Sequence, residues 1–147
     1  MNLRRGLNKP SQKDKSMNDG ADGKIILITD DDEALRRMYR IKLAKEGFRL
    51  LEAADGEEGL KVALENHPDL ILLDVKMPKL DGMGVMKKLR EDAWGRQVPI
   101  IIISNSDSSD DAIREIGRDE PAFYLLKPNY SLQDVVEKIR EVLKMDA

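Results

Sequence analysis

The sequence predicts a doubly wound α/β domain on a parallel sheet. Three features point there: short continuous apolar runs, helical periodicity between them, and chemically active side chains placed just after the runs. The runs are Ile25 to Ile28, Leu70 to Leu73, Ile100 to Ile103 and Phe123 to Leu126, with a weaker one from Phe48 to Leu51. Runs that do not alternate with polar residues suit strands buried on both faces. Between them, Leu35, Met38, Tyr39 and Leu43 form one helical stripe, Leu60, Ala63 and Leu64 a second, and Val85, Met86 and Leu89 a third. A short, weak helix is expected from about Ser109 to Ile116. The last helix is the clearest: Ser131 and Asp134 have capping-box spacing, and Val135, Val136, Ile139, Val142 and Leu143 follow at helical intervals. Right-handed crossovers then place helices on both faces of the sheet.

Composition narrows the chemistry. The 147 residues fit one domain, and 41% hydrophobic content is enough for a core. The chain has no cysteine and a single histidine, His67, so thiolate and His-rich metal sites are excluded. His67 itself, in front of Pro68, reads as a structural loop residue. No apolar run approaches the roughly 20 residues that span a bilayer, and no signal-peptide pattern opens the chain, so a cytoplasmic protein without a membrane partner is expected. Residues 1–23 form a polar arm, expected to be disordered, in front of a domain from 24 to 147. The arm carries Arg4, Arg5, Lys9, Lys13 and Lys15 on a chain of net charge −3. With no aromatic residue or apolar face in the arm, direct nucleic-acid binding is not expected.

In doubly wound sheets the ligand site lies beyond the carboxyl ends of the strands. Asp30, Asp31 and Asp32 follow the first run, Asp74 the third, Ser104 the fourth, and Lys127-Pro128 the fifth. Each has a plainer reading alone: a helix cap for the aspartates, a turn for Lys-Pro, a loop residue for Ser104. Asp32 is assigned that plain role, as cap of the first helix. The others converge on one edge. Two carboxylates about 4 Å apart repel by roughly 4 kcal/mol at an effective dielectric of about 20. Lys127 alone does not balance three of them, so the set suits a hard divalent cation such as Mg²⁺. A carboxylate beside such an ion can act as a nucleophile toward phosphorus.

With those residues in this order, the stretch from about Lys24 to Met145 resembles the response-regulator receiver domains of bacterial two-component pathways. The resemblance rests on Ile25, Leu27 and Ile28 before Asp30-Asp31, on the segment from His67 to Asp74, on Met77-Pro78 with Asp81-Gly82, and on Ser104 and Lys127-Pro128. It implies a flavodoxin-like five-stranded sheet of order 2-1-3-4-5 with five flanking helices. It further implies that Asp74 is the phosphoacceptor and that Mg²⁺ is held by Asp31, by Asp30 directly or through water, by Asp74 and by the Lys76 backbone carbonyl. Lys127 resembles the lysine that contacts the phosphoryl group, preceding a cis peptide bond in the family. Ser104 resembles the switch hydroxyl, and Tyr124 the aromatic whose rotamer follows it. The implied donor is a histidine kinase or phosphotransfer protein, and the implied output is binding in trans to an unidentified protein target. This is a switch that supports its own phosphotransfer, not an enzyme that turns over an external substrate. A phosphohydrolase commonly has a second aspartate where Lys76 stands, and a flavin binder needs a Gly-rich loop where the three aspartates stand. Asn105, Asn129 and the long connection from Gly117 to Ala122 depart from the family pattern on the face expected to signal.

Overall fold

The computed structural model describes residues 23–104, 123–126 and 130–145, with the backbone alone at Ser104 and 123–126. Five parallel strands form one sheet: β1 (Ile25–Thr29), β2 (Arg49–Ala53), β3 (Leu70–Asp74), β4 (Ile100–Ser104) and β5 (Phe123–Leu126). Their order is β2-β1-β3-β4-β5, as the resemblance implied. Among the described residues there are four helices: α1 (Glu33–Lys45), α2 (Gly56–Asn66), α3 (Gly82–Arg90) and α4 (Leu132–Val142). The helix expected near 109–116, the arm before Gly23, and the departures at Asn105, Asn129 and 117–122 lie outside the described residues.

Because side chains alternate along a strand, each apolar run feeds two cores. Ile26, Ile28, Leu70, Leu72, Ile101 and Ile103 face one layer, where they meet Tyr39 and Leu43 of α1 and Val135, Val136 and Ile139 of α4. Leu27, Ile71, Leu73, Ile100 and Ile102 face the other, against Ala63 of α2 and Val85, Met86 and Leu89 of α3. β3 is buried at all five positions. Continuous apolarity is therefore what a doubly covered central strand requires. β2 lies at the edge and is mostly half-buried, which explains its weaker run. The strand also begins one residue later than the run, because Phe48 packs into the core just ahead of it.

Two helical stripes are narrower than the sequence reading implied. Met38 is 50% exposed and Leu64 is 37% exposed. One residue is a turn of about 100°, so Met38 leaves the sheet when Tyr39 and Leu43 face it. The caps agree with expectation. Asp32 accepts from the Leu35 N–H as N-cap of α1, and Ser131 and Asp134 close a reciprocal capping box on α4. Asp55 and Asp81 cap α2 and α3 in the same way. Gly56 begins α2 directly under the β3–α3 loop, where a Cβ would overlap the Leu80 carbonyl. No described helix is long and apolar enough to cross a membrane.

Candidate functional site

The order of the sheet reverses between β1 and β3, which are adjacent although β2 lies between them in sequence. Crevices form at such switch points. Thr29 of β1 is in register with Leu73 of β3, so the next residues, Asp30 and Asp74, emerge at the same level. Asp31 follows and completes a cluster in which one oxygen from each of the three carboxylates lies within 4.8 Å of the others. Asp30 and Asp74 are buried, 3% and 6% exposed, while Asp31 is open to solvent. Asp31 also lines an open cleft of about 550 Å³ with Val75, Lys76, Met77, Pro78, Asp81 and Met83.

The donor set fits a small hard cation. Oxygens bound to Mg²⁺ at about 2.1 Å in an octahedron lie roughly 3–4 Å apart, so a slight closure of the three carboxylates suffices. Hard oxygen donors, two of them buried, are the ligands that ion prefers. The aspartates are also held in place. The Asp30 N–H donates to the Ala53 carbonyl at 3.1 Å, extending the β1–β2 ladder. The Asp32 N–H donates to Asp30 Oδ1 at 2.9 Å, and Arg36 Nη1 donates to the Asp30 carbonyl at 2.8 Å. Below Asp74, the Gly82 N–H donates to the Val75 carbonyl at 2.8 Å and closes the loop that carries Lys76. Gly82 is required there, since a Cβ would strike the Asp74 carbonyl.

Comparison with known proteins agrees with this geometry. Residues 26–140 match the response regulator receiver domain family. The chain belongs to that family. A probable transcriptional regulator, ycf27, of Porphyridium aerugineum is 39% identical over 121 residues, covering 81% of this chain and 48% of the relative. The receiver thus spans about half the length of the curated relatives it matches. A CheY-like receiver domain protein of Methanospirillum hungatei superposes with a TM-score of 0.77 at 28% identity, covering 83% of this chain and 94% of the other. The receiver domain of the sensor histidine kinase PA1611 of Pseudomonas aeruginosa, solved with a magnesium ion in its active-site cleft, gives 0.75 at 25% identity, covering 83% and 98%.

Of the receiver residues expected from sequence, the fold brings Asp30, Asp31 and Asp74 together and puts Lys76 beside them on the cleft. Ser104 ends β4, one position beyond Ile103, the register partner of Asp74. Leu126, the residue before Lys127, is in register with Ser104. The Ser104 and Tyr124 side chains, Lys127 and the Lys127-Pro128 bond lie outside the described residues. Two neighbours of the site receive no site role from the sequence alone. Tyr39, placed only on a helical stripe, has its phenol pushed up to about 12 by burial and then by the charges of Asp30 and Asp74. Arg36 reaches the Asp30 carbonyl; its place one turn beyond the Asp32 cap was the available clue. Away from the site, His67 and Trp94 stack with ring centroids 4.3 Å apart and planes 11° apart.

Proposed function

We propose that this receiver is a phosphorylation switch, with Asp74 the acceptor of a phosphoryl group from a histidine kinase or phosphotransfer protein. The observation that carries the reading is the convergence of Asp30, Asp31 and Asp74 within 4.8 Å at the sheet's switch point. The buried Asp74 carboxylate forms the new O–P bond as the donor's bond to phosphorus breaks. Asp30, Asp31 and Asp74, with the Lys76 carbonyl, are the residues that would hold Mg²⁺. When bound, that ion supplies positive charge against the carboxylates and the phosphoryl oxygens. Lys127 is assigned the remaining cationic contact, Ser104 the hydroxyl that senses the phosphoryl group, and Tyr124 the aromatic that follows it. The protein turns over no external substrate in this reading; it is modified, and the modified form binds a protein target. A second reading is favoured by the length of the curated relatives, which are named as transcriptional regulators: the same switch gates transcription within a regulator about twice as long.

The test is phosphorylation by acetyl phosphate, followed by intact mass. Mg²⁺-dependent addition of one phosphate is expected in the wild type, with none in Asp74→Asn. Stoichiometric phosphate on Asp74→Asn would remove Asp74 from its role.

A further inference from the structure

We infer that Arg36 is a positioning residue for the acid cluster, aiming the Asp30–Asp31 turn at the cation site by bridging the Asp30 carbonyl to Glu52. The inference rests on the phosphoacceptor reading above and adds a residue to it. Arg36 lies on the first turns of α1, with its side chain only 16% exposed. Its Nε donates to Glu52 Oε1 at 3.1 Å, while its Nη1 donates to the Asp30 carbonyl at 2.8 Å. Glu52, on β2, is itself held from its second oxygen by Arg40 Nη1 at 3.0 Å. One guanidinium therefore ties the strand beside the site to the backbone of the residue that starts the acid pair. The rigid planar fork allows both bonds at once, which a lysine cannot reproduce.

The Asp30 peptide is fixed on both sides. Its N–H is bound to Ala53 of β2, and its carbonyl to Arg36, which is bound to Glu52 of the same strand. These bonds fix the direction in which the Asp30 Cβ leaves the backbone, and the side chain is held in turn at Oδ1, which accepts from the Asp32 N–H. Groups that orient ligands in this way change metal affinity by roughly 10–100-fold when lost.

Charge and geometry act in opposite directions here, and this makes the role testable. A cation beside three carboxylates competes with Mg²⁺, so removing it on electrostatic grounds alone would tighten metal binding. Losing the orientation weakens it. The sign of the change therefore separates the two roles.

The experiment is calorimetric titration of the full chain with Mg²⁺, with initial rates of phosphorylation by acetyl phosphate across Mg²⁺ concentrations. Arg36→Met is expected to bind Mg²⁺ about ten-fold more weakly, at the low end of that range. Its rate should recover at saturating Mg²⁺. Arg36→Lys, which keeps the charge and loses the fork, should weaken binding in the same direction. Val136→Ala, a core change away from the site, should lower the melting temperature without moving Mg²⁺ affinity. Affinity in Arg36→Met equal to or tighter than wild type overturns the inference, as does an equal loss in Val136→Ala. Should Arg36→Met fail to fold, Arg36→Lys decides: with the charge kept and the fork lost, weaker Mg²⁺ binding supports the bridge, and unchanged binding overturns it. If the wild type neither binds Mg²⁺ nor takes phosphate, the proposed function falls and this inference with it. If the wild type does both, only the positioning role is at stake.

Discussion

Tyr39 is buried on α1 within electrostatic reach of Asp30 and Asp74, and this ties the phenol to the stability of the fold at alkaline pH. Its phenol, ordinarily near 10.0, is raised to about 12 by burial first and by the two carboxylates next. The neutral form is thus favoured in the native state. The stability this contributes is complete below about pH 10 and is lost as pH rises through about 12. A shift of that size corresponds to on the order of 2–3 kcal/mol. In denaturant melts between pH 9 and 12, the wild type should lose about that much more than Tyr39→Phe. Parallel losses in the two proteins would show that Tyr39 does not govern the alkaline limb.

Among the elements, α1 and α4 are joined at their ends by more than the shared core. Arg140 of α4 donates to Glu46 Oε1 at 2.8 Å, next to the C-terminus of α1, and its guanidinium lies 5.6 Å from the Phe48 ring centroid. That hydrogen bond holds the Glu46 carboxyl below its ordinary range, with Lys42 adding to the effect. A lowered carboxylate contributes stability at neutral pH and loses it as pH falls through the lowered value. Arg140→Ala should therefore cost about 0.5–1 kcal/mol at pH 7, the upper part of the range for a solvent-accessible ion pair. The difference from wild type should shrink in melts toward pH 3, and a difference constant with pH would assign the loss to packing alone. On the other face, Asp55 joins α2 to the β3–α3 loop. Its carboxylate accepts from the Glu58 N–H and pairs with Lys79 at 3.6 Å, and both hold its carboxyl below the ordinary range. The loop after Asp74 is thus anchored to a neighbouring helix.

At the scale of the whole domain, three carboxylates gather at the carboxyl end of a sheet whose central strands are apolar. Relief of their repulsion should register in global stability. A cation present at 100 times its dissociation constant adds about 2.7 kcal/mol when it binds only the folded state. Mg²⁺ should raise the melting temperature of the wild type, and Asp31→Ala should abolish most of the rise while melting higher than wild type without metal. An undiminished Mg²⁺ response in Asp31→Ala would remove Asp31 from the ligand set.

The strands were legible in sequence because burial on both faces forces continuous apolarity, as in Leu70 to Leu73. The caps were legible because Asp32 and Ser131 act on N–H groups within three residues. Asp30, Asp31 and Asp74 were legible because residues after such runs must emerge at one edge. Local pattern cannot reveal which half of a helical stripe meets the sheet, so Met38 and Leu64 share stripes with core residues yet lie outward. Nor could it show contacts between residues distant in sequence. The reach of Arg36 from Glu52 to the Asp30 carbonyl, the stacking of His67 on Trp94 and the field of two aspartates on Tyr39 all depend on how separate segments pack. Sequence carries periodicity and local capping; the sheet order, which sets β1 beside β3, decided which charges meet.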